Sequence, residues 1–395
     1  MMSARLVAIA GAAFVSLGPL SMSIYTPAMP SIAEAFAVDE GAVQFTLVAY
    51  FFGFSFAQLA CGPLADAFGR RIVLQLFLAT YIAGSALALA ATSIDGLSAA
   101  RLIQGIGAAA GITVTRAIVR DLFDDERAGQ VLGSVGTMLA ILPAFAPGLG
   151  GLLLTVAPWP GLFVLMIAFG VFLLLLCTFC IEETNPEPDR RKAAPVQVAR
   201  TYARLLGRGP IVASMSIAAC SIGCIYMLST VLAFVADADL GLSPAQFGAA
   251  MLLQSAFYTL GALLARRLLR HRSAASLVLP ASLLMLAAGL LLAVNAARGF
   301  DSLAAVFLPV GLYAFAVAMA TPGFTVQALR NTSKEAGAAS ALLGFSQLGG
   351  GFVGGLLVTL FPSPSSALGT LPLLMAAIAC LSQLYVLREA RSGRV

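Results

Sequence analysis

Long apolar runs alternate with short polar links along almost the whole chain. The runs lie at about 5–28, 42–63, 72–92, 97–119, 130–156, 160–181, 210–236, 244–265, 274–297, 302–327, 336–361 and 367–388. About twenty apolar residues is what a helix needs to cross the hydrocarbon core of a bilayer, at about 1.5 Å per residue. The pattern therefore predicts an all-α membrane protein with twelve transmembrane helices. Every link is short except 182–209, which is polar and proline-rich. It reads as a cytoplasmic linker between an N-terminal six-helix half (1–181) and a C-terminal six-helix half (210–395). The end of the second run, Gly62-Pro-Leu-Ala-Asp-Ala-Phe-Gly-Arg-Arg71, has a degraded counterpart about 200 residues later, Gly261-Ala-Leu-Leu-Ala-Arg-Arg-Leu-Leu-Arg270. That echo points to a parallel repeat of six spans, with a site at the interface of the repeats.

Composition agrees: 60% of residues are hydrophobic and 10% charged, against about 25% charged in soluble domains. The first run reads as an uncleaved span rather than a removable signal. The net charge of +5 is not a nucleic-acid footprint, because the basic residues sit in short links rather than on one stripe. Their placement sets orientation. With the N-terminus in the cytoplasm, the inner links carry Arg70, Arg71, Arg120, Arg127, the 190–208 cluster with Lys192, Arg266, Arg267, Arg270, Arg272, Arg330 and Lys334. The tail adds Arg388, Arg391 and Arg394, whereas the outer links carry Arg298 alone. Both termini are expected inside, in a bacterial inner membrane, with Trp159 seated at the outer interface.

Little in the chain can carry covalent chemistry. No glycine-rich phosphate loop precedes either lysine, so the protein does not hydrolyse ATP itself. His271 stands in a basic link and reads as solvated. Cys177 and Cys180 have metal spacing but lie in an uninterrupted apolar run with no His, Asp or Glu nearby, so they read as packing. An enzyme is excluded on this reading, and neither cofactor nor metal is expected. The expected partners are a small-molecule substrate, protons and the lipid bilayer, with no nucleic acid, around a monomer.

Three stretches carry functional signals. The first is the loop Gly62–Arg71, a charged hairpin between spans 2 and 3. The second is span 4, Leu97-Ser-Ala-Ala-Arg-Leu-Ile-Gln-Gly-Ile-Gly-Ala-Ala-Ala-Gly111. An arginine there costs a few kcal/mol unless partnered or hydrated. Gln104, one turn from Arg101 on the same face, can share a partner with it. Either Arg101 faces a cavity or it snorkels to the outer surface about one turn away. The third is Leu142-Pro-Ala-Phe-Ala-Pro-Gly-Leu-Gly-Gly151 in span 5, where Pro147 removes a helix hydrogen bond and the glycines permit a bend and close packing.

The loop resembles the signature between helices 2 and 3 of the major facilitator superfamily, roughly G-x-L-a-D-x-x-G-r-r, at Gly62, Leu64, Asp66, Gly69, Arg70 and Arg71. Span 4 is similar to that family's R-x-x-q-G-x-g motif at Arg101, Gln104, Gly105 and Gly107, where the arginine is implicated in proton coupling. Span 5 resembles its antiporter motif, with Ala146 in place of a glycine and Pro147, Gly150 and Gly151 matching. Ser23-Ile-Tyr-Thr-Pro-Ala-Met-Pro-Ser-Ile32, Thr115-Arg-Ala-Ile-Val-Arg-Asp-Leu-Phe123 and Gly241-Leu-Ser-Pro-Ala-Gln-Phe-Gly248 look like the Bcr/CflA branch of its drug:proton antiporters. The resemblance spans the whole chain. It implies two six-helix halves rocking around a central site, with Asp66 holding the inner gate by pairing with an arginine such as Arg120. Gly62, Gly69, Arg70, Pro147, Gly150 and Gly151 are the other expected gating positions.

One departure bears on mechanism. That branch places an aspartate where this chain has Ser23, and no Asp or Glu falls in any span interior. A buried carboxylate is the usual proton carrier, because burial raises its pKa. Its absence weakens proton antiport and argues against a cationic cargo. Glu34 is expected in the outer loop, cut off from Ser23 by Pro27 and Pro30. The substrate and coupling candidates are Arg101, Gln104, Tyr25, Tyr50, Gln58, Tyr226, Gln254, Tyr258 and Tyr313, any of which could instead bridge helices. The leading reading is proton-driven export of a neutral or anionic amphiphile, an antibiotic or a native metabolite such as a siderophore. The alternative is an uptake or facilitative carrier without proton antiport.

Overall fold

The computed structural model describes residues 3–185, 187–189, 194–330, 332 and 335–392, with the side chains of 125, 129, 133, 134 and 136–144 outside that description. The expected basic positions Lys192, Lys334 and Arg394 lie outside the described residues. The helices are α1 (Ala4–Tyr25), α2 (Met29–Phe36), α3 (Glu40–Phe68), α4 (Arg70–Leu89), α5 (Ile94–Ala108), α6 (Ala110–Leu122), α7 (Asp125–Leu153), α8 (Gly161–Cys180), α9 (Pro195–Leu206), α10 (Gly209–Ala238), α11 (Pro244–Leu268), α12 (Val278–Arg298), α13 (Leu303–Leu329), α14 (Ala336–Val358) and α15 (Pro364–Arg391).

Eleven stretches among the described residues are long and apolar enough to cross a membrane. Helix α7 occupies the remaining expected position. Outward-facing side chains such as Leu76, Leu175, Phe179, Leu360 and Leu381 are exposed. In water that would be a large apolar patch; facing lipid it costs nothing. Helix starts follow their caps: Asp39 accepts from the Ala42 amide at 2.8 Å, Ser93 from Gly96 at 3.1 Å and Asp124 from Arg127 at 2.9 Å. Ser243 and Gln246 form a reciprocal capping box.

Several expected boundaries move. The Gly62–Arg71 stretch is not a loop of ten residues, since α3 runs on to Phe68 and Gly69 alone makes the turn, at φ 101°. That backbone region excludes most side chains, so the chain reverses on a single glycine. The α1 path is not broken at Pro27 and Pro30. A 3₁₀ turn at Thr26–Ala28 carries it into α2, because both prolines sit in first turns that need no donor. Glu34 is therefore on a helix, exposed at its far end. The linker 182–209 contains α9, an amphipathic helix. Val198, Tyr202 and Leu205 recur at helical spacing on its inner face, and Leu205 is buried with Ile211, Met215, Ala339 and Leu342.

Packing repeats between the halves. In the first, α1 packs on α7, α3 on α5, α4 on α5 and α4 on α8. In the second, α10 packs on α14, α11 on α13, α12 on α13 and α12 on α15. These are the same pairings by position in each set of six. The halves meet through α3 against α14 and α7 against α11.

Candidate functional site

Between the halves lies a cavity of about 730 Å³, lined from α1, α3, α6, α7, α10, α11, α13 and α14. Its wall is largely apolar, from Val15, Met22, Ile112, Ile225 and Met251. The polar groups on it include Ser23, Gln58, Thr115, Tyr226, Gln254 and Tyr258, and its charges are Arg116 and Arg266. No carboxylate lines it among the described residues. It shares Gln58, Arg116, Leu132, Thr325 and Leu343 with a second space of about 1340 Å³, so the two are continuous. That vestibule opens at the end of the bundle carrying Arg120, Arg200, Arg204 and Arg208. At the opposite end Phe36 packs on Trp159, ring centroids 5.6 Å apart, and the 3₁₀ turn and α2 close against α10. The bundle is thus open at its basic end and closed at the other.

Four expected cavity residues, Gln58, Tyr226, Gln254 and Tyr258, are on this wall. The other five are not. Arg101 is 0% exposed, sealed inside the first half, so both earlier readings of it, cavity-facing and snorkelling, are corrected. Its guanidinium lies 4.3 Å from the Tyr25 ring centroid and 4.4 Å from that of Tyr50, a cation held between two aromatic faces. It donates to Gln104 Oε1. Gln104 Nε2 in turn donates to Ser85 Oγ at 2.7 Å. Tyr25 shares a 2.7 Å hydrogen bond with Thr46, and Tyr50 donates to the Gly18 carbonyl at 3.0 Å. Arg101 Nε and one terminal nitrogen have no hydrogen-bond partner among the described residues. Tyr313 donates to the Cys220 carbonyl at 3.1 Å, tying α13 to α10. The reason is geometric: α1, α3 and α4 close around α5, which apolar periodicity cannot reveal.

The gate also departs from expectation. Asp66 pairs with Arg70, four residues on across the Gly69 turn, and not with Arg120. Arg70 Nε reaches Asp121 at 3.0 Å, so α6 contributes its acid to the cluster, while Arg120 lines the vestibule. Glu183, at the head of the linker, accepts from the amides of Arg70 and Arg71 at 2.8 and 3.1 Å and so caps α4. A side chain at Gly69 would collide with it. Sequence reasoning missed Glu183 and Asp121; their signal was an acid beside each helix end that meets this turn. Gly62 lines the vestibule and Pro147 the central cavity. Helix α7 runs on through Pro147. A methyl group at Gly150 would strike the Ile24 carbonyl, and one at Gly151 the Pro244 carbonyl. The pair therefore seats α7 against α1 on one side and α11 of the other half on the next.

Helix α9 crosses the same end. Tyr202 donates to the Leu59 carbonyl of α3 at 2.7 Å. Burial pushes its phenol up to about 12, so it stays a donor at any physiological pH. Arg204 and Arg208 reach Glu335, just before α14, at 2.7 and 3.4 Å. The linker helix thus touches both halves where α3 and α14 meet. His271 is exposed, the cysteines are free thiols, and no metal-ligating cluster occurs among the described residues.

Repeated six-helix halves around a central cavity open at one end define a multi-pass membrane transporter. A model of the Major Facilitator Superfamily matches residues 11–392, and the chain belongs to that family. It is 30% identical over 339 residues to the multidrug resistance protein MdtL of Citrobacter koseri, covering 86% of this chain and 84% of that one. It is 25% identical over 377 residues to a bicyclomycin resistance protein homolog of Haemophilus influenzae, covering 92% and 90%. Its fold matches the xylose transporter XylE of E. coli in a partially occluded inward-open conformation, at a TM-score of 0.74 and 13% identity, over 98% of this chain and 97% of that one.

Proposed function

We propose that the protein exports a neutral or anionic amphiphile, an antibiotic or a native metabolite such as a siderophore, by alternating access across a bacterial inner membrane. The basic end faces the cytoplasm, following the positive-inside rule, and cargo enters from there. The observation that carries this reading is the central cavity: apolar walls, amides and phenols, two arginines, and no carboxylate among the described residues. A cation would meet like charge there. The multidrug and bicyclomycin-resistance names of the relatives support efflux, and the Bcr/CflA-like segments point the same way.

Coupling to protons is weak or carried by the substrate's own ionisation. Ser23, where a proton-carrying aspartate is otherwise expected, is on the cavity wall and cannot titrate. The same observation keeps a second reading alive, a facilitative or uptake carrier without proton antiport. Flux of a non-titrating cargo in proteoliposomes, with and without an imposed pH gradient, tests the coupling. The gradient is expected to change the rate of wild type little. Steep accumulation driven by the gradient would overturn this view of coupling.

A further inference from the structure

We propose that Arg116 anchors the acidic group of the cargo, which makes the preferred substrate an organic anion with an apolar body. The proposal rests on the efflux reading for its cavity and narrows the cargo to one charge class.

Arg116 lies on α6 and lines both the central cavity and the vestibule, at their junction. Arg116 is exposed, and the surface it keeps faces the cavity and the vestibule rather than the outside of the bundle. No ion pair or hydrogen bond holds it among the described residues. Arg120, one turn away on the same face, adds a like charge rather than a partner. This is the reverse of Arg101, which is sealed among aromatic rings and lines neither space. An arginine that faces a space inside the bundle with no protein partner is completed by water or by something anionic.

Independent observations mark the wall of the same cavity. Thr115 Oγ1, Gln58 Oε1 and Gln254 Oε1 are buried on residues of that wall and have no hydrogen-bond partner among the described residues. Native interiors leave few such atoms unpaired. An amide can turn over and present its NH₂, so Gln58 and Gln254 can donate to an acid group that Arg116 holds, and the Thr115 hydroxyl can do the same. On the same cavity, Val15, Met22, Ile225 and Met251 offer apolar surface for the rest of the molecule. The approach favours the same charge. In the vestibule Asp66 is taken by Arg70, and Glu335 by Arg204 and Arg208, while Arg120 is left facing the space. A positive funnel raises the local concentration of anions.

The test uses three probes with one bicyclic body: 1-naphthoate, 1-naphthamide and 1-naphthylmethylammonium. Equilibrium dialysis against the full-length protein in lipid nanodiscs, corrected with empty nanodiscs, gives each affinity. Wild type should bind naphthoate at least about tenfold tighter than naphthamide, with the ammonium weakest. Arg116→Gln should bring naphthoate down to the naphthamide level and leave naphthamide unchanged, which also shows that the variant is folded. Arg116→Lys should keep part of the preference. If Arg116→Gln loses naphthamide as well, the lysine variant decides, and absence of a naphthoate preference there overturns the proposal. It is also overturned if wild type binds naphthoate no better than naphthamide, binds none of the three, or keeps its preference in Arg116→Gln. Dialysis reads affinity and not flux. A failure here leaves export of neutral cargo standing, and a failure of export leaves an Arg116 site standing.

Discussion

Two arginines on one span divide the work of the molecule. Arg101 is fully buried between Tyr25 and Tyr50, with Gln104 as its one hydrogen-bond partner and two nitrogens unpartnered among the described residues. Replacing a buried charge by an apolar side chain of similar size is often neutral or stabilising, whereas truncation leaves a hole costing about 2–5 kcal/mol. Arg101→Met should therefore hold or raise the thermal midpoint of the purified protein, Arg101→Ala should lower it, and both should lose transport. A methionine variant that transports normally would remove Arg101 from the mechanism. Ser23→Asp places a carboxylate on the cavity that Arg116 lines. It should weaken transport of an anionic cargo and make flux more dependent on the pH gradient, measured side by side with wild type. The type of residue at both positions was legible in the sequence. Their surroundings were not, because sealing Arg101 takes contacts from α1 and α3 that lie far away along the chain. Arg116 was passed over because it stands one turn from the expected inner end of its span.

At the scale of elements, the Gly69 turn brings α3, α4, α6 and the linker to one point through Asp66, Arg70, Asp121 and Glu183. None of these groups reaches the central cavity. Asp66→Asn should therefore slow turnover several-fold while changing substrate affinity little, as judged by comparing flux with equilibrium binding. A large loss of affinity would move Asp66 into the site. Helix α9 is pinned at Glu335, whose two arginine partners are well exposed; such pairs contribute at most about 1 kcal/mol each. Glu335→Gln should leave the fold intact and speed proteolysis within 195–206, and an unchanged cleavage rate would show that the pairs do not hold the helix. The membrane helices were legible because their length and apolarity are set by the bilayer. Helix α9 was hidden in a proline-rich, charged stretch where Pro195 marks a helix start and the apolar face is only three residues deep.

On the scale of the whole molecule, pairings that recur in both halves leave two seams, α3 with α14 and α7 with α11. Rocking about those seams would close the basic end and open the other around the same cavity. The weak echo of Gly62–Arg71 in Gly261–Arg270 made the repeat visible in the sequence, but which helices form the seams depends on packing that the sequence does not display. Ser23 sits on the cavity wall, and cysteine is nearly isosteric with it. The most direct measurement is labelling of Ser23→Cys, in a background without the six native cysteines, by a membrane-impermeant maleimide in everted and in right-side-out vesicles. The account predicts labelling from both faces, faster from the basic end. Labelling from the basic end alone would make the cavity a blind cleft and contradict alternating access.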